Sequence, residues 1–177
     1  YTLSLHDALP IYAKRIMNVL PKRFNKYGLA LHPEKTAVID FRRPLSNVKS
    51  KGKGTFHFLG FTFYWSKSRR GYWVIKKKTA GRRLSRFLKR QWQWCRENRH
   101  EPIKEQHQRL CSKLRGYYLY FGVRSNYKAL EVVFEFIEKA WRFWSSRRSH
   151  KGGISWAKFD KIRASFPLPK PRIVHNI

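Results

Sequence analysis

Residues 55–95 read TFHFLGFTFYWSKSRRGYWVIKKKTAGRRLSRFLKRQWQWC, and the hydrophobic period changes inside this stretch. From Thr55 to Trp65, and again from Tyr72 to Ile75, aromatic and β-branched residues form short runs on either side of the turn residues Ser66 to Gly71. That pattern predicts the two arms of an antiparallel β-hairpin. Past Thr79 the spacing becomes helical, with Leu84, Phe87, Leu88, Trp92 and Cys95 at i, i+3, i+4, i+8 and i+11. The same period returns in Ile103, His107, Leu110, Cys111, Leu114, Tyr117, Tyr118 and Phe121, then in Leu130, Val133, Phe134, Ile137, Trp141 and Trp144. Pro102 and the segment Gly122 to Asn126 separate these three amphipathic helices, and Asn126 stands where it could N-cap the third. The expected fold class is therefore α+β: a small antiparallel hairpin piece followed by a three-helix bundle. Trp141 of the third helix should meet the Leu114 and Tyr118 face of the second.

Working outward, Ala13 to Tyr27 carries Ile16, Val19, Leu20 and Phe24 at helical spacing, with Pro21 predicting a kink and Gly28 a C-cap. Thr36 to Phe41 is β-rich after the Pro33 turn and predicts a strand, and residues 46–54 predict a loop. Downstream, Lys151 to Gly153 predicts a hinge and Trp156 to Phe166 a short helix, whereas Pro167, Pro169 and Pro171 forbid helix beyond it. The opening YTLSLHDALPI contains no Lys or Arg and resembles the conceptual translation of a sequencing adapter. Residues 1–11 are accordingly expected to be foreign to the fold.

Charge sets the class of partner. Forty Lys plus Arg against ten Asp plus Glu in 177 residues gives a net charge of +30, while 42% hydrophobic and 16% aromatic residues are too many for a disordered basic tail. A folded domain this basic needs a polyanion to offset its self-repulsion. The longest apolar stretch, Phe56 to Trp65, falls far short of the ~20 residues that span a bilayer, so nucleic acid is expected rather than a membrane. Two cysteines with no signal-peptide pattern suggest a reducing, cytoplasmic location.

Enzymatic chemistry is poorly represented. Two-metal phosphoryl or nucleotidyl transfer needs convergent carboxylates, yet no Asp-Asp or Asp-x-Asp pair occurs, nor a Walker loop, nor Gly-x-Ser-x-Gly. Cys95, His100, His107 and Cys111 have the right side chains for zinc, but their spacing does not make a knuckle and core packing is the favoured reading. No catalytic or metal-ligating residue is expected in this chain. The cations are more informative. From Lys67 to Arg99 they form a run opposed only by Glu97 and interleaved with Tyr72, Trp73, Trp92 and Trp94, the composition of a surface that neutralises phosphates and stacks on bases. Arg82, Arg83, Arg86, Lys89 and Arg90 on the first bundle helix are the expected contacts, with Arg83 and Lys89 near the edges of its core face. Arg115, Arg147 and Arg148 are the second group.

Gly28-Leu-Ala-Leu-His-Pro-Glu-Lys-Thr36 followed by Phe58-Leu-Gly-Phe61 resembles the closing motifs of the palm in bacterial group II intron reverse transcriptases. Leu114-Arg-Gly-Tyr-Tyr-Leu-Tyr-Phe-Gly-Val123, with Asn126, Trp141 and Arg147-Arg148-Ser149, resembles the maturase-specific domain of the same proteins. The resemblance implies the end of a polymerase palm over residues 12–78, a thumb, or domain X, over residues 79–166, and a truncated Pro-rich basic tail over residues 167–177. It casts Phe58, Leu59, Gly60 and Phe61 as the primer grip and Lys35 as a residue near nucleotide or template phosphates. Its implied partners are intron RNA and an RNA/DNA primer-template. The family's Tyr-Ala-Asp-Asp signature is absent here, so the Mg²⁺-dependent polymerase activity of the intact parent is not expected of this chain. A standalone RNA-binding splicing cofactor is the alternative, and a ribosomal protein fits the seven Trp poorly.

Overall fold

The computed structural model describes residues 5–34, 36–44, 54–148 and 153–176, with side chains from residue 11 onward. It is α+β, and the described residues hold five helices and one three-stranded antiparallel sheet in two units, Tyr1–Gly54 and Thr55–Ile177. Most of the expected loop at residues 46–54, and Lys151 and Gly152 of the expected hinge, lie outside the described residues.

In the first unit, helix α1 (Leu5–Asn25) is one helix across Pro21, whose missing N–H leaves the Met17 carbonyl without its helical donor. The helix ends as the Gly28 signal predicts. Leu29 N donates to Phe24 O and Gly28 N to Asn25 O, the paired bonds of a Schellman motif. The strand expected over residues 36–41 does not form. Among the described residues this β-rich run has no ladder partner, and strand propensity without one does not make a strand.

The second unit opens with strands β1 (Phe56–Phe58), β2 (Phe61–Lys67) and β3 (Trp73–Thr79), ordered β1-β2-β3. The single long hairpin arm expected from Thr55 to Trp65 is thus two strands. Leu59 (φ 48°) and Gly60 (φ 80°) form a two-residue turn with positive φ at both central positions, so Phe58 pairs back on Phe61, and Phe56 stacks on Phe63 with centroids 4.8 Å apart. The second arm also outruns its expected end at Ile75. Lys76, Lys77 and Lys78 continue it opposite Tyr64, Phe63 and Thr62, charged side chains that an edge strand tolerates well.

Helices α2 (Gly81–Glu97), α3 (Ile103–Phe121) and α4 (Tyr127–Ser145) follow at the positions their periodicity predicts, and α5 (Trp156–Ser165) falls within the short helix expected over Trp156 to Phe166. Their apolar faces meet in one core that includes Cys95 of α2, Leu110 and Leu114 of α3, Leu130, Val133, Ile137 and Trp141 of α4, and Phe159 of α5. Trp141 reaches α3 through its indole N–H, which donates to Gln106 Oε1 at 2.8 Å. Gln106 in turn donates to the carbonyls of Asn98 and Glu101, tying the α2–α3 loop to the core.

Asn126 precedes α4 as expected, but its side chain does not cap that helix. Its Oδ1 accepts from Thr79 N at 2.8 Å, while Nδ2 donates to Thr79 Oγ1 at 2.8 Å and Phe121 O at 2.9 Å. These bonds satisfy the last residue of β3 and the last carbonyl of α3 together, a demand that only the folded arrangement creates. The segment after Pro167 is non-helical as predicted, yet it is no loose tail. Leu168 is buried in the core, Val174 N and His175 N both donate to Gly122 O, and His175 Nε2 lies 2.6 Å from Leu119 O.

Candidate nucleic-acid interface

The turn expected to act as the primer grip protrudes. Phe58 is 58% and Leu59 66% exposed, although both are apolar and Leu59 holds a backbone conformation that leucine disfavours. Three contacts hold it there: Tyr120 Oη donates to Leu59 O at 2.8 Å, Ala80 N donates to Gly60 O at 2.9 Å, and the Phe61 ring lies against Tyr120 and Phe121 at 6.0 and 5.2 Å. Gly60 faces the Phe121 ring and the aliphatic stem of Arg83, so the turn sits beside the first turn of α2.

Arg82, Arg83, Arg86, Lys89 and Arg90 are all exposed, including the two that the sequence places near the core edge. The first turn of α2 contains no acid, and Arg82 and Arg83 stand where the helix dipole disfavours cations by about 0.3–1 kcal/mol each. Helix stability therefore does not explain them. Lysines of the sheet extend the same basic character: Lys78 of β3 lies over the Tyr64 ring at 5.2 Å, and Lys67 at the end of β2 over Trp73 at 5.6 Å.

The second expected group divides. Arg115 is exposed on α3. Arg147 stacks over Phe143 at 3.5 Å and remains exposed, whereas Arg148 donates to His100 O and Glu101 O and so braces the α2–α3 loop. Lys35 lies outside the described residues. What the sequence reading missed is the tail, whose Lys170 and Arg172 are exposed on an ordered segment; the signal was the alternation of Pro167, Pro169 and Pro171 with those cations.

The Cys/His set is dispersed into packing roles. Cys95 and Cys111 are buried free thiols, and burial pushes the Cys95 thiol up to about 12. His107 Nε2 lies 2.9 Å from Pro167 O, and since a carbonyl only accepts, that nitrogen carries the proton; Cys111 Sγ is 3.1 Å away. Lys113 lies 3.7 Å over the Trp94 ring, where burial pushes its ammonium down to about 8. Among the described residues no three His, Cys, Asp or Glu side chains converge to hold a metal ion, and no helix is long and apolar enough to cross a membrane. Comparisons of the chain with protein-family models, with curated proteins and with solved structures return no match.

Proposed function

We propose that this chain is the nucleic-acid-binding C-terminal part of a group II intron reverse transcriptase and maturase, joining the end of the palm and its primer-grip turn to the thumb. The observation that carries the reading is the meeting of two independently recognised features: the exposed Leu59–Gly60 turn is pinned between the start of α2, with its row of cations that make no ion pair among the described residues, and Tyr120 and Phe121 at the end of α3. A primer terminus lying on the turn would have its phosphates within reach of Arg82, Arg83 and Arg86. Exposed Phe58 and Leu59 would offer apolar contact to sugar or base, and the cations would supply the electrostatic part of binding. The magnesium that the resemblance implies for the longer enzyme has no ligand set among the described residues.

The test is RNA affinity of an Arg82/Arg83/Arg86→Ala variant across salt concentrations. A site of six to ten phosphate contacts weakens roughly 10³ to 10⁵-fold between 50 and 200 mM salt, and each contact removed lowers the salt slope by about one. A variant with the parent's affinity and slope would reduce the α2 row to a solvated face. Primer extension by this chain with Mg²⁺ or Mn²⁺ is expected to be absent; template-dependent incorporation that survives purification would contradict the reading.

A further inference from the structure

The C-terminal segment 167–176 is a strap along α3. It is held at one end by the His107 contact with Pro167 and by Leu168 in the core, and at the far end by the bonds of Val174 and His175 to Gly122 and of His175 to Leu119. Its prolines pre-set an extended backbone, so docking it costs little conformational entropy. Counting 3.6 residues per turn, His107, Cys111 and Gly122 place the strap on one flank of α3, while Tyr120, which carries the Leu59 turn, lies on the opposite flank. Between the two runs an exposed strip that contains Ser112, Arg115 and Leu119. Lys170 and Arg172 on the strap are exposed, and among the described residues neither they nor Arg115 makes an ion pair.

We infer that the strap and the outer strip of α3 form a second contact for RNA, in which Arg115, Lys170 and Arg172 bind the phosphates of a strand running along α3 between the strap and the Leu59 turn. The inference rests on the nucleic-acid reading proposed above. It adds a surface that the α2 row does not include. Three uncompensated cations on one helix flank and the segment docked beside it repel one another, and the apolar Leu119 exposed at the end of the strip suits the sugar face of a strand whose phosphates those cations hold.

The experiment uses the full chain and a stem-loop RNA with single-stranded flanks, measured over a salt series. Lys170→Gln/Arg172→Gln should lower the salt slope by roughly 1.4 to 1.8, the value for two phosphate contacts, and adding Arg115→Gln should lower it by roughly 0.7 to 0.9 more. Arg172→Lys should keep the slope. These positions are exposed, so the melting temperature serves as the control that the fold is intact. If the strap variants bind as the parent does while the α2 triple variant weakens, the strap inference is overturned and the nucleic-acid reading stands. If the parent fails to bind this RNA, or binds phosphatidylserine vesicles in its place, both fall.

Discussion

Trp141 shows how one side chain ties several parts of this chain together. It is 1% exposed, packs edge-on against Phe159 of α5 at 5.6 Å, and its indole N–H engages Gln106, which holds the α2–α3 loop. Trp141→Ala should cost about 3–5 kcal/mol, read from urea denaturation, because a large cavity and an unpaired glutamine oxygen are left together. Lys113 gives a pH signature. Burial lowers its folded value to about 8 from 10.5, so between those values the unfolded chain holds a proton that the folded chain has released, and stability rises with pH there. Cys95 acts oppositely: its thiol is raised from 9.0 to about 12, so the unfolded chain ionises first and stability falls above pH 9. The urea midpoint should therefore climb from pH 7.5 to 9, and Lys113→Met should climb less. An equal climb in both would assign the effect to overall charge.

Among the elements, the β1–β2 turn and the strap make the sharpest demands. A two-residue turn with positive φ at both central positions favours Asn-Gly, yet this one reads Leu59-Gly60 and exposes the leucine. Leu59→Asn should leave stability unchanged or raise it by up to about 1 kcal/mol, because asparagine accepts that conformation more readily. RNA affinity should fall in the same variant if the leucine is a contact, and a variant that gains stability without losing affinity would remove Leu59 from the interface. Gly122 marks where the strap closes on α3. A Cβ there would run into the Tyr118 carbonyl and come within 3.0 Å of the Arg172 carbonyl and 3.2 Å of a Val174 methyl. Gly122→Ala should loosen the strap, seen as faster tryptic cleavage after Arg172 and a lower melting temperature; cleavage at the parent's rate would mean that α3 can end differently.

For the whole chain, +30 is the governing quantity. Self-repulsion on that scale destabilises the compact state, and salt screens it within a Debye length of about 10 Å at 0.1 M. The melting temperature should rise as sodium chloride is added to the free chain. It should fall with added salt when a saturating RNA is present at low ionic strength, because salt then strips the ligand that offsets the repulsion. A free-chain melting temperature independent of salt would mean that the cations are too dispersed to repel.

The periodicity of residues 84–144 determined three of the helices and their core faces, because a long amphipathic repeat leaves only one stripe that can be buried. The basic row on α2 was legible for the same reason, since the cations occupy the positions the stripe leaves out. The break at Leu59–Gly60 was not, because a leucine at positive φ carries no local signal and the turn is held by Tyr120 and Ala80, both distant in the chain. The strand at residues 36–41 failed for the complementary reason: its propensity was real, but a ladder needs a neighbour. Asn126 looked like a helix cap until Thr79 and Phe121 arrived beside it with unsatisfied backbone groups, and residues 167–177 read only as a Pro-rich basic tail until Leu168 found a place in the core. Local patterns specify which groups must be buried or satisfied. Which distant group does so depends on contacts between residues far apart in the chain, and no window of sequence contains both partners.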